Sequence, residues 1–351
     1  MKVLVIQIKM IGDVLASTVI CEAIKTQNPN WEVHYLIQPN TLAVVENNPY
    51  IDKIILFDPK KDKGFFNLLK LGRELKKEQY HIIIDAYGKW ESILPAFFSN
   101  TKIRIGGYKW YTQLFYTKTI KLISSKNGTA NEYRLLLTET ALHKKIDLAF
   151  PNIHLTNEEL EKAKKAISEN CDIAKPIFMI SVLGSSKKKS LPSKHMAKTL
   201  DILATSKEDI QLLFNYIPSQ FNEVKDIYDS CLPTTQEKIN LDFYAKSLRD
   251  FIGLLSQCDA LIGNEGGATN MAKALNIPTF TIYAPWINRN SWNIKEETGF
   301  HDIIHLSDYH PELYLGKHPK NFKDKALEWY ELLNPSLFKE KLELFIKRIT
   351  T

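Results

Sequence analysis

Short apolar runs alternate along the chain with longer stretches whose apolar residues recur at helical spacing. Lys2–Ile8 is nearly all apolar and predicts a buried parallel strand. After a loop at Lys9–Asp13, apolar positions at Leu15, Val19, Ala23 and Ile24 predict a helix over Val14–Gln27, stopped before Pro29. Strand patterns at Glu32–Ile37, Lys53–Phe57 and Tyr80–Asp85 alternate with helix-like stretches near Leu42–Glu46 and at Phe65–Lys77. Such alternation predicts a parallel sheet covered by helices on both faces. Past Pro151 the pattern restarts. Thr156-Asn157-Glu158-Glu159 has the form of a helix N-terminus, with a capping hydroxyl and early acids. A second series follows: strands at Pro176–Val182, Ile210–Asn215, Ala260–Ile262 and Thr279–Tyr283, with helices at Ser193–Thr205, Asn222–Ser230, Leu248–Gln257 and Ala268–Leu275. The pattern predicts two doubly wound halves, residues 1–155 and 156–322. A helical segment, 323–351, interrupted at Pro335, is expected to pack back across the first half.

A length of 351 residues accommodates two such domains. Hydrophobic residues at 44% and charged residues at 25% are ordinary for a globular chain and exclude wholesale disorder. No apolar run approaches the ~18 residues of a membrane span. The first apolar segment is broken by Gln7 and Lys9 and lacks a cleavage pattern, so a soluble cytoplasmic chain is expected. Cys21, Cys171, Cys231 and Cys258 lie far apart, without the close spacing of metal ligands, and read as buried or incidental thiols.

Charge changes the picture by region. Residues 1–155 carry 21 Lys and Arg against 14 Asp and Glu, so the first half holds the whole excess of the +6 chain. From Ser92 to Asn131 there are six cations, Lys102, Arg104, Lys109, Lys118, Lys121 and Lys126, and no acid. Aromatics are interleaved, among them Phe97, Tyr108, Trp110, Tyr111 and Phe115. The segment is either a solvated basic face over core aromatics or a surface for something anionic with apolar parts. No nucleic-acid-binding motif accompanies it.

Three loops fall at predicted strand ends, where ligands of open parallel sheets bind. In Met10-Ile11-Gly12-Asp13, the carboxylate is either a helix cap or a general base, and Gly12 permits close backbone approach. In Gly184-Ser185-Ser186-Lys187-Lys188-Lys189-Ser190-Leu191-Pro192, small residues run into lysines, which suits phosphate, although such lysines are also commonly just solvated. In Gly263-Asn264-Glu265-Gly266-Gly267-Ala268, two glycines precede a helix, either as an ordinary turn or as an anion site of uncovered amides.

Taken in order, Met1–Asp13, Gly184–Pro192 and Gly263–Pro278 running into Tyr283-Ala284-Pro285 resemble glycosyltransferase family 9, the ADP-heptose:lipopolysaccharide heptosyltransferases. The resemblance implies an α/β chain of GT-B fold, two Rossmann-like doubly wound parallel-sheet domains facing a cleft. It places the acceptor mainly on the N-terminal domain and the nucleotide sugar, ADP-linked in this family, on the C-terminal one. Asp13 matches the family's catalytic base and Lys189 the lysine of the phosphate loop. Ser185 and Ser186 match hydroxyls at the phosphates, Glu223 the acid near the nucleoside, and Gly266 and Gly267 the turn at the diphosphate, with Glu265, Ala268 and Asn270 beside it. Gly12, Lys102, Arg104 and Lys109 are the expected acceptor residues. The chain departs from the family pattern at three places: Leu191 stands for an aromatic, Glu265-Gly266 for Asp-Ser, and Asn270 for a histidine.

The implied reaction is inverting transfer of a sugar to an anionic lipid-linked core oligosaccharide, with protein donors in place of a metal and no cofactor. The implied partners are a nucleotide sugar, that acceptor and, transiently, the inner face of the inner membrane, with no nucleic acid. Transfer of another nucleotide sugar to a capsular or other surface glycan is an alternative, as is non-catalytic nucleotide-sugar binding. A retained Asp13 speaks against the last.

Overall fold

The computed structural model describes residues 1–121, 129–147, 150–288, 300–316 and 319–351. They form two compact units, Met1–His154 and, in the second, described residues from Leu155 to Thr351.

The first unit runs β1 (Lys2–Ile6), α1 (Ile11–Gln27), β2 (Glu32–Ile37), β3 (Lys53–Leu56), α2 (Phe65–Lys77), β4 (Ile82–Asp85), α3 (Trp90–Phe98), β5 (Ile103–Gly107), β6 (Lys118–Ile120) and α4 (Thr129–Leu142). Its six strands are all parallel, in the order β3-β2-β1-β4-β5-β6. The central strands carry apolar residues on both faces because helices cover both, which is why Val3–Ile6 and Ile82–Ile84 are continuous apolar runs. The stretch near Leu42 forms a 3₁₀ turn, Pro39–Val44, rather than a helix, since Pro39 starts it and too few residues follow. Helix α1 begins at Ile11, three residues earlier than its apolar spacing suggests. Gly12 and Asp13 therefore lie in its first turn and not in the preceding loop.

The second unit runs α5 (Asn157–Asn170), β7 (Ile177–Ser181), α6 (Ser193–Ser206), β8 (Gln211–Phe214), α7 (Phe221–Asp229), α8 (Pro233–Gln236), β9 (Ile239–Asn240), α9 (Leu248–Leu255), β10 (Ala260–Asn264), α10 (Gly267–Ala274), β11 (Thr279–Ile282), β12 (His301–Ile304), α11 (Ala326–Leu332) and α12 (Lys339–Ile349). Its parallel sheet has the order β12-β11-β10-β7-β8-β9. The predicted cap of α5 is a full capping box: Thr156 Oγ1 accepts from Glu159 N at 3.2 Å while Glu159 returns a carboxylate to Thr156 N at 2.8 Å.

The C-terminal helices pack on the second sheet. Trp329, Tyr330, Phe338, Leu342 and Phe345 are buried in the core of the second unit. Lys341 donates to Ile303 O and Arg348 pairs with Asp302, both on β12. The apolar faces of α11 and α12 thus cover the second sheet.

Each sheet changes direction once. In the first unit β1 lies between β2 and β4, so the chain leaves β1 and β4 toward opposite sides. In the second unit the equivalent pair is β7 and β10. The carboxyl ends of such strand pairs open a crevice where parallel sheets bind ligands.

Candidate functional site

In the second unit both candidate loops leave the β7/β10 pair. Asn264, fully buried at the end of β10, holds them together. Its Nδ2 donates to Ser181 O and Val182 O at 3.1 and 2.9 Å, and its Oδ1 accepts from Leu191 N at 2.8 Å. The strands approach closely because Gly263 has no side chain. A Cβ there would lie 2.5 Å from Ser181 O, at a φ of +129°. Within the β7 loop, Gly184 N donates to Ser190 Oγ, which donates to Ser186 O, closing a 3₁₀ turn at Lys187–Lys189. Ser185 and Ser186 are exposed on that turn. Leu191, where the family pattern has an aromatic, is buried in the core.

The turn aims Lys189 at the end of β10. Its Nζ lies 3.4 Å from Glu265 Oε2 and 5.9 Å from the ring centre of Trp286. Trp286 in turn donates from Nε1 to Lys188 O at 2.7 Å, and Lys188 pairs with Asp324 at 2.8 Å. Glu265 is buried, and behind it lies Tyr330. Burial and the nearby Glu265 charge hold the Tyr330 phenol well above its ordinary range, and its oxygen has no hydrogen-bond partner among the described residues. Gly266 lies at an extended φ of 168°, with nothing within 4 Å of where its Cβ would be. No side chain caps α10. The Gly267, Ala268 and Thr269 amides form a helix N-terminus without a side-chain cap, which favours an anion. Asn270 follows within the first turn of α10. Glu223 is exposed in the first turn of α7, after the neighbouring strand β8.

In the first unit Asp13 sits above the end of β1. Its carboxylate is about one-seventh exposed, 3.0 Å from Lys9 Nζ and 3.6 Å from Arg134 Nη2. Arg134, on α4, is buried. Its Nε donates to Ser17 Oγ at 2.7 Å, Nη1 to Ala130 O at 2.6 Å and Nη2 to Asp13 O at 3.2 Å. Desolvation lowers its proton affinity while the Asp13 charge works against that. Arg134 was not singled out in the sequence; a lone arginine within Tyr133–Leu137 was its only signal. Asp85 ends β4. Burial raises its pKa, opposed by hydrogen bonds from Tyr116, Gly88 N and Tyr87 N. Those bonds fold the loop that carries Tyr87, Gly88 and Lys89.

The three basic acceptor candidates separate. Lys109 follows β5 at the same sheet end as Asp13, with Nζ donating to Gly88 O at 2.6 Å. Lys102 precedes β5 and so lies at the opposite end of the parallel sheet. Arg104 donates to Phe115 O at 2.8 Å and to Thr101 O, which commits it to holding the chain between β5 and β6. Lys102 thus lies at the sheet end away from Asp13, and Arg104 is engaged with backbone carbonyls. Lys126 lies outside the described residues. Among the described residues no group of three or more His, Cys, Asp or Glu is placed to hold a metal, and no helix is long and apolar enough to cross a membrane.

The model of "Glycosyltransferase family 9 (heptosyltransferase)" matches residues 68–292. The chain is 25% identical to lipopolysaccharide heptosyltransferase 1 of Campylobacter coli over 81% of its own length and 84% of that protein's. It is 23% identical to lipooligosaccharide heptosyltransferase 2 of Haemophilus influenzae, over 81% and 84%. Among solved structures, a family 9 glycosyltransferase from Veillonella parvula superposes with a TM-score of 0.76 at 17% identity, covering 95% of this chain and 98% of that one. The ADP-heptose lipopolysaccharide heptosyltransferase II of E. coli gives 0.68 at 16%, covering 95% and 99%. The fold is thus the GT-B α/β fold of two Rossmann-like units.

Proposed function

The chain belongs to glycosyltransferase family 9 and is a heptosyltransferase-like enzyme; from that premise we propose inverting transfer of heptose from ADP-heptose to an anionic lipopolysaccharide core. The observation that carries this reading is the coincidence of the candidate loops with both sheet switch points. Asp13 lies at one, and Lys189 with the glycine turn at the other.

In this reading an acceptor hydroxyl attacks the anomeric carbon of the donor and gives its proton to the Asp13 carboxylate. The bond from that carbon to the diphosphate oxygen breaks, and its electron pair leaves with the diphosphate. Base catalysis of this kind contributes ~10²–10⁴-fold. Arg134 and Lys9 hold the carboxylate from two sides. Lys189 and the amides of Gly267 and Ala268 take the charge that develops on the leaving group, as a divalent cation does in other transferases. Ser185 and Ser186 add hydroxyls to the phosphates. When a diphosphate draws Lys189 away, Glu265 is freed to accept sugar hydroxyls. Asn270 and Glu223 are assigned to the donor on family resemblance alone. No bound cofactor is required. Gly12 and Lys109 flank the acceptor at the Asp13 end of the first sheet. The enzyme works in the cytoplasm, at the inner face of the inner membrane, where the acceptor is lipid-anchored.

The test is turnover of a panel of nucleotide sugars with purified core glycolipids, alongside Asp13→Asn. ADP-heptose should be the best donor, and the variant should bind ADP normally while kcat falls at least ~10²-fold. Normal turnover by the variant would reduce Asp13 to a residue of the helix terminus. Preference for another donor would shift the reading to a different surface glycan, a possibility favoured by the longer carboxylate of Glu265.

A further inference from the structure

Large apolar side chains are usually hidden, and the first unit leaves two uncovered in one connection that starts at its candidate acceptor end. Trp110 is 83% exposed and Leu114 79%, both in the short connection between β5 and β6. Trp110 is not a loose tip. Its ring meets Tyr111 at 5.5 Å, Tyr111 stacks on Trp90 at 5.3 Å and 23°, and Trp90 meets Phe115 edge-on at 5.5 Å. Phe115 continues to Phe97 at 5.3 Å, on α3, which packs against α2. A continuous row of rings therefore props the exposed indole on the helical layer.

Cations border that row. Lys109 lies over the Tyr111 ring at 5.8 Å, Lys121 over Tyr108 at 4.7 Å and Arg104 over Phe97 at 5.6 Å. The sequence has no acid between Ser92 and Asn131 to balance them. All six strands are parallel, so Tyr108–Tyr111 and Lys89-Trp90, which follow β5 and β4, emerge at the same sheet end as Asp13, which follows β1.

We propose that this aromatic rim is a membrane-docking face, and that its occupant is the surface of an anionic phospholipid bilayer. Trp110 and Leu114 enter the headgroup region, where Lys109 and Lys121 meet lipid phosphates. Amphipathic indole and phenol rings settle at that depth in membranes, and lysines near an anionic leaflet add attraction. A second copy of this chain is a poorer occupant. A symmetric dimer through the same patch would set its cations against their own equivalents. The proposal rests on the glycosyltransferase reading only in the clause that gives it purpose. A lipid-anchored acceptor reaches Asp13 most directly when the rim beside that sheet end lies against the bilayer.

The test is flotation of the whole chain with vesicles of phosphatidylcholine alone and of phosphatidylcholine with phosphatidylglycerol. The wild type should bind the mixed vesicles, weakly or not at all the neutral ones, and release as salt rises. Trp110→Ser with Leu114→Ser, and separately Lys121→Glu, should each weaken binding at least ~10-fold. Turnover of a short, lipid-free acceptor should be unchanged in these variants, which also shows that they fold. Wild-type chain that ignores both vesicles, variants that bind as well as wild type, or equal affinity for neutral and anionic vesicles would each overturn the proposal. So would a patch whose loss dissolves a dimer in vesicle-free solution. Absence of turnover by the wild type on any acceptor would instead sink the proposed function, and leaves the vesicle result standing.

Discussion

Gly184→Ala places one methyl group where the β7 loop is tightest. The new carbon would lie 2.2 Å from Lys189 O and 2.6 Å from Lys189 C, both backbone atoms that no rotamer change can move. An unstrained contact needs about 3.5 Å, so the turn must retreat by roughly 1.3 Å. It is not free to do so. Gly184 N to Ser190 Oγ, Ser190 Oγ to Ser186 O and Leu191 N to Asn264 Oδ1 all pin it. Giving up two of these at about 1 kcal/mol each costs about 2 kcal/mol, or roughly 30-fold in affinity if the turn must re-form to bind. Displacement of Lys189 by ~1 Å adds a further loss in turnover. Calorimetric titration with ADP and with adenosine measures the effect. ADP affinity should fall about 30-fold, and adenosine affinity much less. Gly266→Ala is the companion, since nothing lies within 4 Å of its added carbon. It should leave thermal stability unchanged and still impair ADP binding, because the space it fills is the ligand's. If Gly184→Ala binds ADP within about threefold of wild type, the turn does not hold the diphosphate. Equal losses for both ligands would place the diphosphate elsewhere.

Arg134→Lys keeps the charge but cannot span Ser17, Ala130 and Asp13 together. It should lower kcat by ~10-fold or more with donor KM unchanged, while Arg134→Met should also cost about 3 kcal/mol in chemical denaturation. A kcat that survives either change would make Arg134 purely structural. Lys109→Glu should raise acceptor KM at low salt and less so once the Debye length falls to ~8 Å, whereas Lys102→Glu should leave it unchanged; identical effects would contradict the placement at opposite sheet ends. Glu159, bonded to Arg249 at 2.8 Å, is held down to about 2 chiefly by that hydrogen bond. Because its folded value lies below its unfolded one, its contribution is complete above about pH 4.5 and disappears as pH falls toward 2. Glu159→Gln should therefore destabilise at neutral pH by about 1 kcal/mol, discounted for solvent exposure, and by nothing near pH 2. A pH-independent difference in melting temperature would refute the assignment.

Local pattern alone marked out the strands and most helices of each half. Buried parallel strands must be apolar on both faces, so Val3–Ile6, Ile82–Ile84 and Ala260–Ile262 announced themselves as runs, and Thr156 with Glu159 announced a helix start. The three loops were legible for the same reason. Glycine, serine and lysine clusters have no core to fill, so they stand out between apolar segments. Strand order was not legible, because it depends on which strands pair across dozens of residues. Only the folded sheets brought Gly184–Leu191 beside Glu265, across the 73 positions that separate Leu191 from Asn264. Pairing direction also separated Lys102 from Lys109, seven positions along the chain yet at opposite ends of a strand. Arg134 reaches Asp13 across 121 residues, and no local pattern encodes such a distance. The C-terminal helices show the same limit. Their periodicity marked an apolar face, but any uncovered sheet layer could have taken it, and only packing assigned it to the second unit. Local sequence fixes the conformation and amphipathicity of an element. Its partners are chosen by the competition of all apolar faces for burial at once, and that is settled only in three dimensions.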